Sequence, residues 1–160
     1  ETGVDGTIPT EIGLLSNLES LSLDGRFLDG TLPSEIGRLS NLVELHVSGS
    51  GIRGEIPSEF GNLSKLEKVT LSTSLMSGTI PSTLGQLENL EILDLNFFIL
   101  FGTVPKELGN LQHLTDLYVK SNRLAAIPEE VCALVNDGDL LTFRVDCGLS
   151  CNCCNYCLSA

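Results

Sequence analysis

Proline recurs at Pro9, Pro33, Pro57, Pro81, Pro105 and Pro128, four steps of 24 residues followed by one of 23. A fixed period constrains a fold severely, because each repeat is one unit that buries its apolar side only against its neighbours. The prolines close the tetrads GTIP (6–9), GTLP (30–33), GEIP (54–57), GTIP (78–81) and GTVP (102–105), then the shortened AAIP (125–128). TEIG, SEIG, SEFG, STLG and KELG follow them, and then EEVC, where Cys132 stands in the glycine column. The rest of each unit reads L-x-x-L-x-L: LESLSL (18–23), LVELHV (42–47), LEKVTL (66–71), LEILDL (90–95), LTDLYV (114–119) and LLTFRV (140–145).

Alternation in L-x-L turns one face of a short strand inward, and strands recurring once per unit stack about 4.8 Å apart into a parallel sheet. Proline early in P-S-E-I-G suits the first turn of a short helix, and the glycine that follows is expected to end it. Stacked coils leave two apolar ends that need covering. All six cysteines, Cys132, Cys147, Cys151, Cys153, Cys154 and Cys157, lie in the last 29 residues. An even, clustered set reads as a disulfide-stapled cap formed in an oxidising compartment. The Cys154-x-x-Cys157 spacing leaves a zinc site as the competing reading, although the cluster is tighter than two spaced knuckles.

These motifs resemble the plant-type leucine-rich repeat, L-x-x-L-x-L-x-x-N-x-L-x-G-x-I-P-x-x-L-G-x-L-x-x, over residues 4 to 146. The ending DCGLSCNCCNYC (146–157) also resembles the cysteine-rich close of small extracellular leucine-rich repeat proteins from diatoms and related algae. The resemblance implies an α/β repeat, a right-handed solenoid with a parallel β-sheet on its concave face and short 3-10 helices on the convex side. About five full coils plus partial ends would occupy residues 4–146, and residues 147–160 would form the cap. The chain enters at Val4 midway through a repeat, without the N-terminal cysteine pair of plant relatives. Further native sequence, or a partner, is therefore expected to cover the first coil.

The family keeps an asparagine after each strand to bond the backbone of adjacent coils. Here that column holds Arg26, Ser50, Ser74, Phe98 and Asn122, so an irregular edge is expected in the first and fourth units. The run NFFILFG (96–102) falls at this edge. Its register turns Phe98 and Leu100 inward and Phe97, Ile99 and Phe101 outward, where Leu75 and Phe27 extend an apolar stripe. Two readings stay open: an interface, functional or oligomeric, or rings folded back over the gap left by the missing asparagine.

Function in such arrays, by the same resemblance, lies on the concave face, whose outward positions do not repeat. The residues expected to contact a ligand there are His46, Lys68, Thr70, Asp94, Asn96, Tyr118 and Lys120. A protein or peptide is the implied partner, with a glycan second. The chain would be an extracellular recognition module, secreted or on a cell surface, within a receptor-like or co-receptor-like protein. The alternative is an adhesive wall or matrix protein that forms homo-oligomers through its apolar edge. No enzyme is expected. Only His46 and His113 could serve as bases near neutrality, Asp94 lies two rungs from His46 (roughly 10 Å), and no cofactor or metal motif stands out. A net charge of −12 disfavours nucleic acid, and no apolar run approaches the roughly 20 residues needed for membrane insertion. Asn62-Leu63-Ser64 is a glycosylation sequon on an outer loop.

Overall fold

A computed structural model describes residues 6–24, 28–48, 51–72, 75–136, 140–146 and 148–153. Phe27, Cys147, Cys154, Cys157 and the column residues Arg26, Ser50 and Ser74 lie outside them. Strands, numbered in chain order, alternate between two parallel six-stranded sheets. The L-x-L segments form β2 (Ser20–Asp24), β4 (Glu44–Ser48), β6 (Lys68–Ser72), β8 (Ile92–Asp94), β10 (Asp116–Tyr118) and β12 (Thr142–Arg144). They stack in register as the concave sheet, with Leu21, Leu45, Val69, Leu93, Leu117 and Phe143 on one inward row. LLTFRV thus closes that sheet.

The second sheet runs along the lateral side: β1 (Gly6–Thr7), β3 (Leu28–Thr31), β5 (Gly51–Gly54), β7 (Leu75–Gly78), β9 (Ile99–Thr103) and β11 (Arg123–Ala126). The Gly- and Pro-rich letters of L-x-G-x-I-P read locally as a loop. Stacking makes them strands, because identical turns one coil apart align their backbone donors and acceptors.

The convex side carries five short 3-10 helices, Thr10–Leu14, Ser34–Arg38, Ser58–Asn62, Ser82–Gln86 and Lys106–Asn110. Each proline precedes its helix as an extended N-cap, with ψ between 131° and 147°. The glycine does not end the helix as expected: Gly13, Gly37, Gly61, Gly85 and Gly109 sit inside it or pack at its close approach to the next coil. A Cβ on Gly37 would lie 2.4 Å from the backbone oxygen of Glu59, and one on Gly85 would lie 2.4 Å from that of Glu107. The sixth unit departs from the 3-10 pattern with an α-helix, α1 (Glu129–Asn136). There Cys132 takes the glycine column and is disulfide-bonded to Cys153.

Leucines fill the interior between the sheets and the helices. Leu39, Leu63, Leu87 and Leu111, one column in four coils, are 0% exposed, whereas Leu15 in the first coil is 50% exposed. The cysteine segment joins the lateral sheet at the other end, where the Ile127 amide donates to the Ser150 carbonyl at 3.0 Å and the Ser150 amide to the Ala125 carbonyl at 3.2 Å. Main-chain pairing together with the Cys132–Cys153 bond covers the edge that β11 would otherwise present. Cys151 is disulfide-bonded as well, and its sulfur lies 3.4 Å from that of Cys153. The sulfurs of Cys132, Cys151 and Cys153 lie within 4.8 Å of one another. The Cys132–Cys153 bond favours the stapled cap, whereas the Cys154 and Cys157 pair of the zinc reading lies outside the described residues.

Candidate functional site

The concave strands hold their outward side chains at rungs fixed by register. His46 lies between Ser22 and Thr70, with Asp94 one rung beyond Thr70. The carboxylate that meets His46 is therefore not Asp94 but Asp24, diagonally across on β2, with Nε2 3.2 Å from Oδ1. Ser48 and Ser22 also donate to Asp24. The Ser48 bond is the main reason this carboxyl is held below its usual value; burial opposes it, and the bond from Ser22 and the charge of His46 add smaller lowering effects. The group contains serine, histidine and aspartate, but both hydroxyls bond the carboxylate and the imidazole nitrogen is turned to it as well. Among the described residues no hydroxyl is bonded to the imidazole for activation.

Lys68 pairs with Glu44 at 3.2 Å, which raises its ammonium, and Thr70 separates that pair from Asp94. Asp94 is half-buried and accepts from the Asn96 amide at 3.0 Å. Burial pushes its carboxyl up, and that bond and His46 only partly offset the effect. Asn96 spends its side-chain oxygen on the Lys120 amide of the next coil, at 2.8 Å. A raised folded pKa means that ionised Asp94 costs stability above its unfolded value of about 3.8 and that the cost fades as pH falls. Asp94→Asn keeps the acceptor for Asn96 without the charge. It is expected to leave stability unchanged or raise it by up to about 1 kcal/mol at pH 7, with the difference vanishing near pH 3 in urea titrations.

Tyr118 is the aromatic centre of the face. Its hydroxyl donates to Asp116 at 2.9 Å, and the Arg144 guanidinium lies 5.7 Å from its ring centroid, within cation–π range. Burial and the bond to Asp116 both push the phenol up. Burial would also raise Asp116, but hydroxyls from Thr142, Thr115 and Tyr118 hold it below its usual value. Tyr118 is thereby fixed in place, half-buried, beside Lys120.

The concave and lateral sheets meet at the turn that holds NFFILFG. Phe98 fills the interior at 4% exposure and Leu100 at 0%, while Phe97, Ile99, Phe101 and Leu75 are exposed by 61%, 41%, 53% and 61%. The rings are not folded back over a gap. Phe97 has φ +62°, as does Ser121 one coil later. A left-handed conformation costs a bulky L-residue about 1–2 kcal/mol, and nothing in the sequence signalled it.

His113 lies away from both faces, in a shallow pocket of about 570 Å³ lined also by Gly85, Gln86, Glu88, Asn110 and Gln112. Asn62 is exposed at the end of its convex helix, so a glycan there would leave the concave sheet free. Among the described residues no helix is long and apolar enough to cross a membrane.

Two parallel sheets wound around a leucine interior, with helices on the back and non-repeating side chains on the front, define a leucine-rich repeat solenoid. The chain belongs to that family: residues 1–103 match the leucine-rich repeat region. Its structure is similar to that of the plant peptide hormone receptor RGFR1, solved with RGF2, with a TM-score of 0.83 and 31% identity over 90% of this chain and 23% of that one. It is also similar to the ectodomain of the membrane receptor kinase GASSHO1/SCHENGEN3 of Arabidopsis thaliana, solved with CASPARIAN STRIP INTEGRITY FACTOR 2. There the TM-score is 0.81, with 39% identity over 88% of this chain and 16% of that one. A plant ice-binding protein matches at TM-score 0.77 and 31% identity, over 89% of this chain and 44% of that one. The chain thus spans less than a quarter of the length of either receptor. No curated protein matches it in sequence.

Proposed function

We propose that the chain is an extracellular recognition module that binds a protein or peptide through its concave sheet and the adjoining lateral corner, as part of a receptor-like or co-receptor-like protein. The observation that carries this reading is the contrast between a strictly repeating interior and an exterior that does not repeat. The row Ser22–His46–Thr70–Asp94–Tyr118–Arg144 differs at every rung, and bonds such as Tyr118 to Asp116 and His46 to Asp24 hold its members in place. Such a surface suits directional contacts to one partner. A surface matched to a periodic solid would repeat, and here even the threonine column Thr7, Thr31, Thr79, Thr103 is broken by Glu55. Solved neighbours in complex with peptides support the same reading, and disulfide bonding of Cys132 and Cys153 suits an oxidising, extracellular setting.

Screening the 160-residue chain against secreted-peptide and glycan arrays tests it. A peptide or protein ligand is expected to emerge, and Tyr118→Ala is expected to weaken its binding about tenfold or more in interferometry. Binding confined to glycans, or affinity indifferent to Tyr118→Ala and Lys120→Ala, would reject the concave reading.

A further inference from the structure

The exposed apolar corner is flanked by cations that have no ion-pair partner among the described residues. Arg53 beside Leu75 is neutralised by Asp29 at 3.0 Å. Arg123 pairs with Phe101 across the lateral sheet and shares its exposed face, and no carboxylate among the described residues comes within 4 Å of it. Lys120 has no carboxylate partner there either, and its carbonyl accepts from the Phe97 amide at 3.0 Å. In a chain of net charge −12, these two cations stand beside four exposed apolar side chains. They outnumber Asp146, whose carboxylate accepts from the Ser121 and Asn122 amides between them, and leave a local patch of opposite sign. At physiological salt, with a Debye length near 8 Å, these nearest charges dominate over more distant ones.

From this we infer that the corner binds an extended segment of another protein that carries apolar side chains next to an acidic one. The inference rests on the recognition reading above and moves its anchor from the middle of the concave sheet to the edge. Leu75 to Arg123 crosses two coil steps. Because Ile99 lies opposite Ser77 and Arg123 opposite Phe101, it also runs about four residues along the strand, roughly 16 Å in all. An extended chain covers that in about five residues. Apolar side chains two residues apart would seat over Leu75, Ile99 and the rings of Phe97 and Phe101, and a carboxylate two residues further on would reach Arg123, which lies opposite Phe101. The left-handed Phe97 supports the assignment: a strained backbone that keeps an aromatic ring in solvent suits a residue retained for contact. A second copy fits less well, since a two-fold contact would set this positive patch against its own copy.

The probe is a blocked peptide, acetyl-Gly-Phe-Ser-Leu-Ser-Glu-Gly-amide, with its reversed sequence and versions of each in which the acid is Gln or Lys. Binding to the intact chain is followed by amide chemical shifts. The acidic peptide, in one of its two directions, is expected to shift Ile99 and Phe101 and to bind about threefold or more tighter than the Gln version, with the Lys version weakest. Arg123→Ala should erase the preference for acid and leave the Gln peptide unaffected. Phe97→Gly should weaken both peptides while raising the urea midpoint, because glycine adopts that φ without strain. Equal affinity of the Glu and Lys peptides overturns the inference, as does an Arg123→Ala chain that keeps its preference. Shifts confined to the Tyr118 region overturn it too, but leave the concave recognition reading standing. Sedimentation of the unmodified chain as a dimer that Phe97→Gly dissolves would assign the corner to a second copy instead.

Discussion

Gly85→Ala is expected to destabilise the solenoid by about 3 kcal/mol, at the upper end of what a single inserted methyl costs in a packed interior. The added Cβ would stand 2.4 Å from the Glu107 carbonyl oxygen and 2.6 Å from its carbonyl carbon and Cβ. Two of these are backbone atoms of the next coil and cannot rotate aside. Relief therefore requires parting the two coils, which stretches the hydrogen bonds of both sheets on either side. Gly85 is not among the glycines with positive φ, so the penalty is one of space and not of conformation. Gln86→Ala, one residue on at an exposed position of the same helix, supplies the control and should stay within about 0.5 kcal/mol. Urea unfolding of the two variants checks this, and equal midpoints would show that the coils yield at their convex side. In the sixth unit the glycine column holds Cys132, whose sulfur is bonded to Cys153.

Most of the frame was legible because it repeats. Period and alternation together placed the six concave strands, the inward leucine columns and the outward turn of Phe97, Ile99 and Phe101. What escaped was set by contacts between coils rather than along the chain. The lateral sheet arises from stacked turns whose letters, Gly and Pro among them, each read as a loop. Glycine after the proline looked like a helix stop, whereas its reason is a backbone one coil away. His46 was weighed against Asp94, on its own row, while its partner Asp24 sits on the diagonal that side-chain length allows. At the candidate site the concave columns were readable as a list, but which members are already paired was not. Asp24, Glu44 and Asp116 are engaged within the face, while Lys120 has no carboxylate partner among the described residues, and only the folded chain separates the two groups.

Asn122→Ala is expected to cost about 3 kcal/mol, because it would leave more than one buried backbone group without a partner. The fourth unit lacks its own turn asparagine, and Phe98 in that column offers no hydrogen bond. Asn122 of the following coil takes over: its amide nitrogen donates to the Leu95 carbonyl at 2.8 Å and the Val119 carbonyl at 3.0 Å, and its oxygen accepts from the Leu100 amide at 3.1 Å. Leu95 and Leu100 are fully buried, so water cannot readily replace these bonds. The coil beyond repeats the device with a different residue, since Asp146 accepts from the amides of Ser121 and Asn122 at 2.8 and 3.0 Å. Asn122→Asp separates the two halves of the role. It keeps an acceptor for Leu100 but turns a carboxylate toward two carbonyl oxygens, which raises its folded pKa above the unfolded value near 3.9. The variant should therefore be as unstable as Asn122→Ala at pH 7 and recover part of the loss as pH falls through that raised pKa. Urea titrations at the two pH values, together with hydrogen exchange at the Leu100 amide, measure both effects. A loss below about 1 kcal/mol in Asn122→Ala, with Leu100 still protected, would mean that Phe98 and its leucine neighbours join these coils by packing alone.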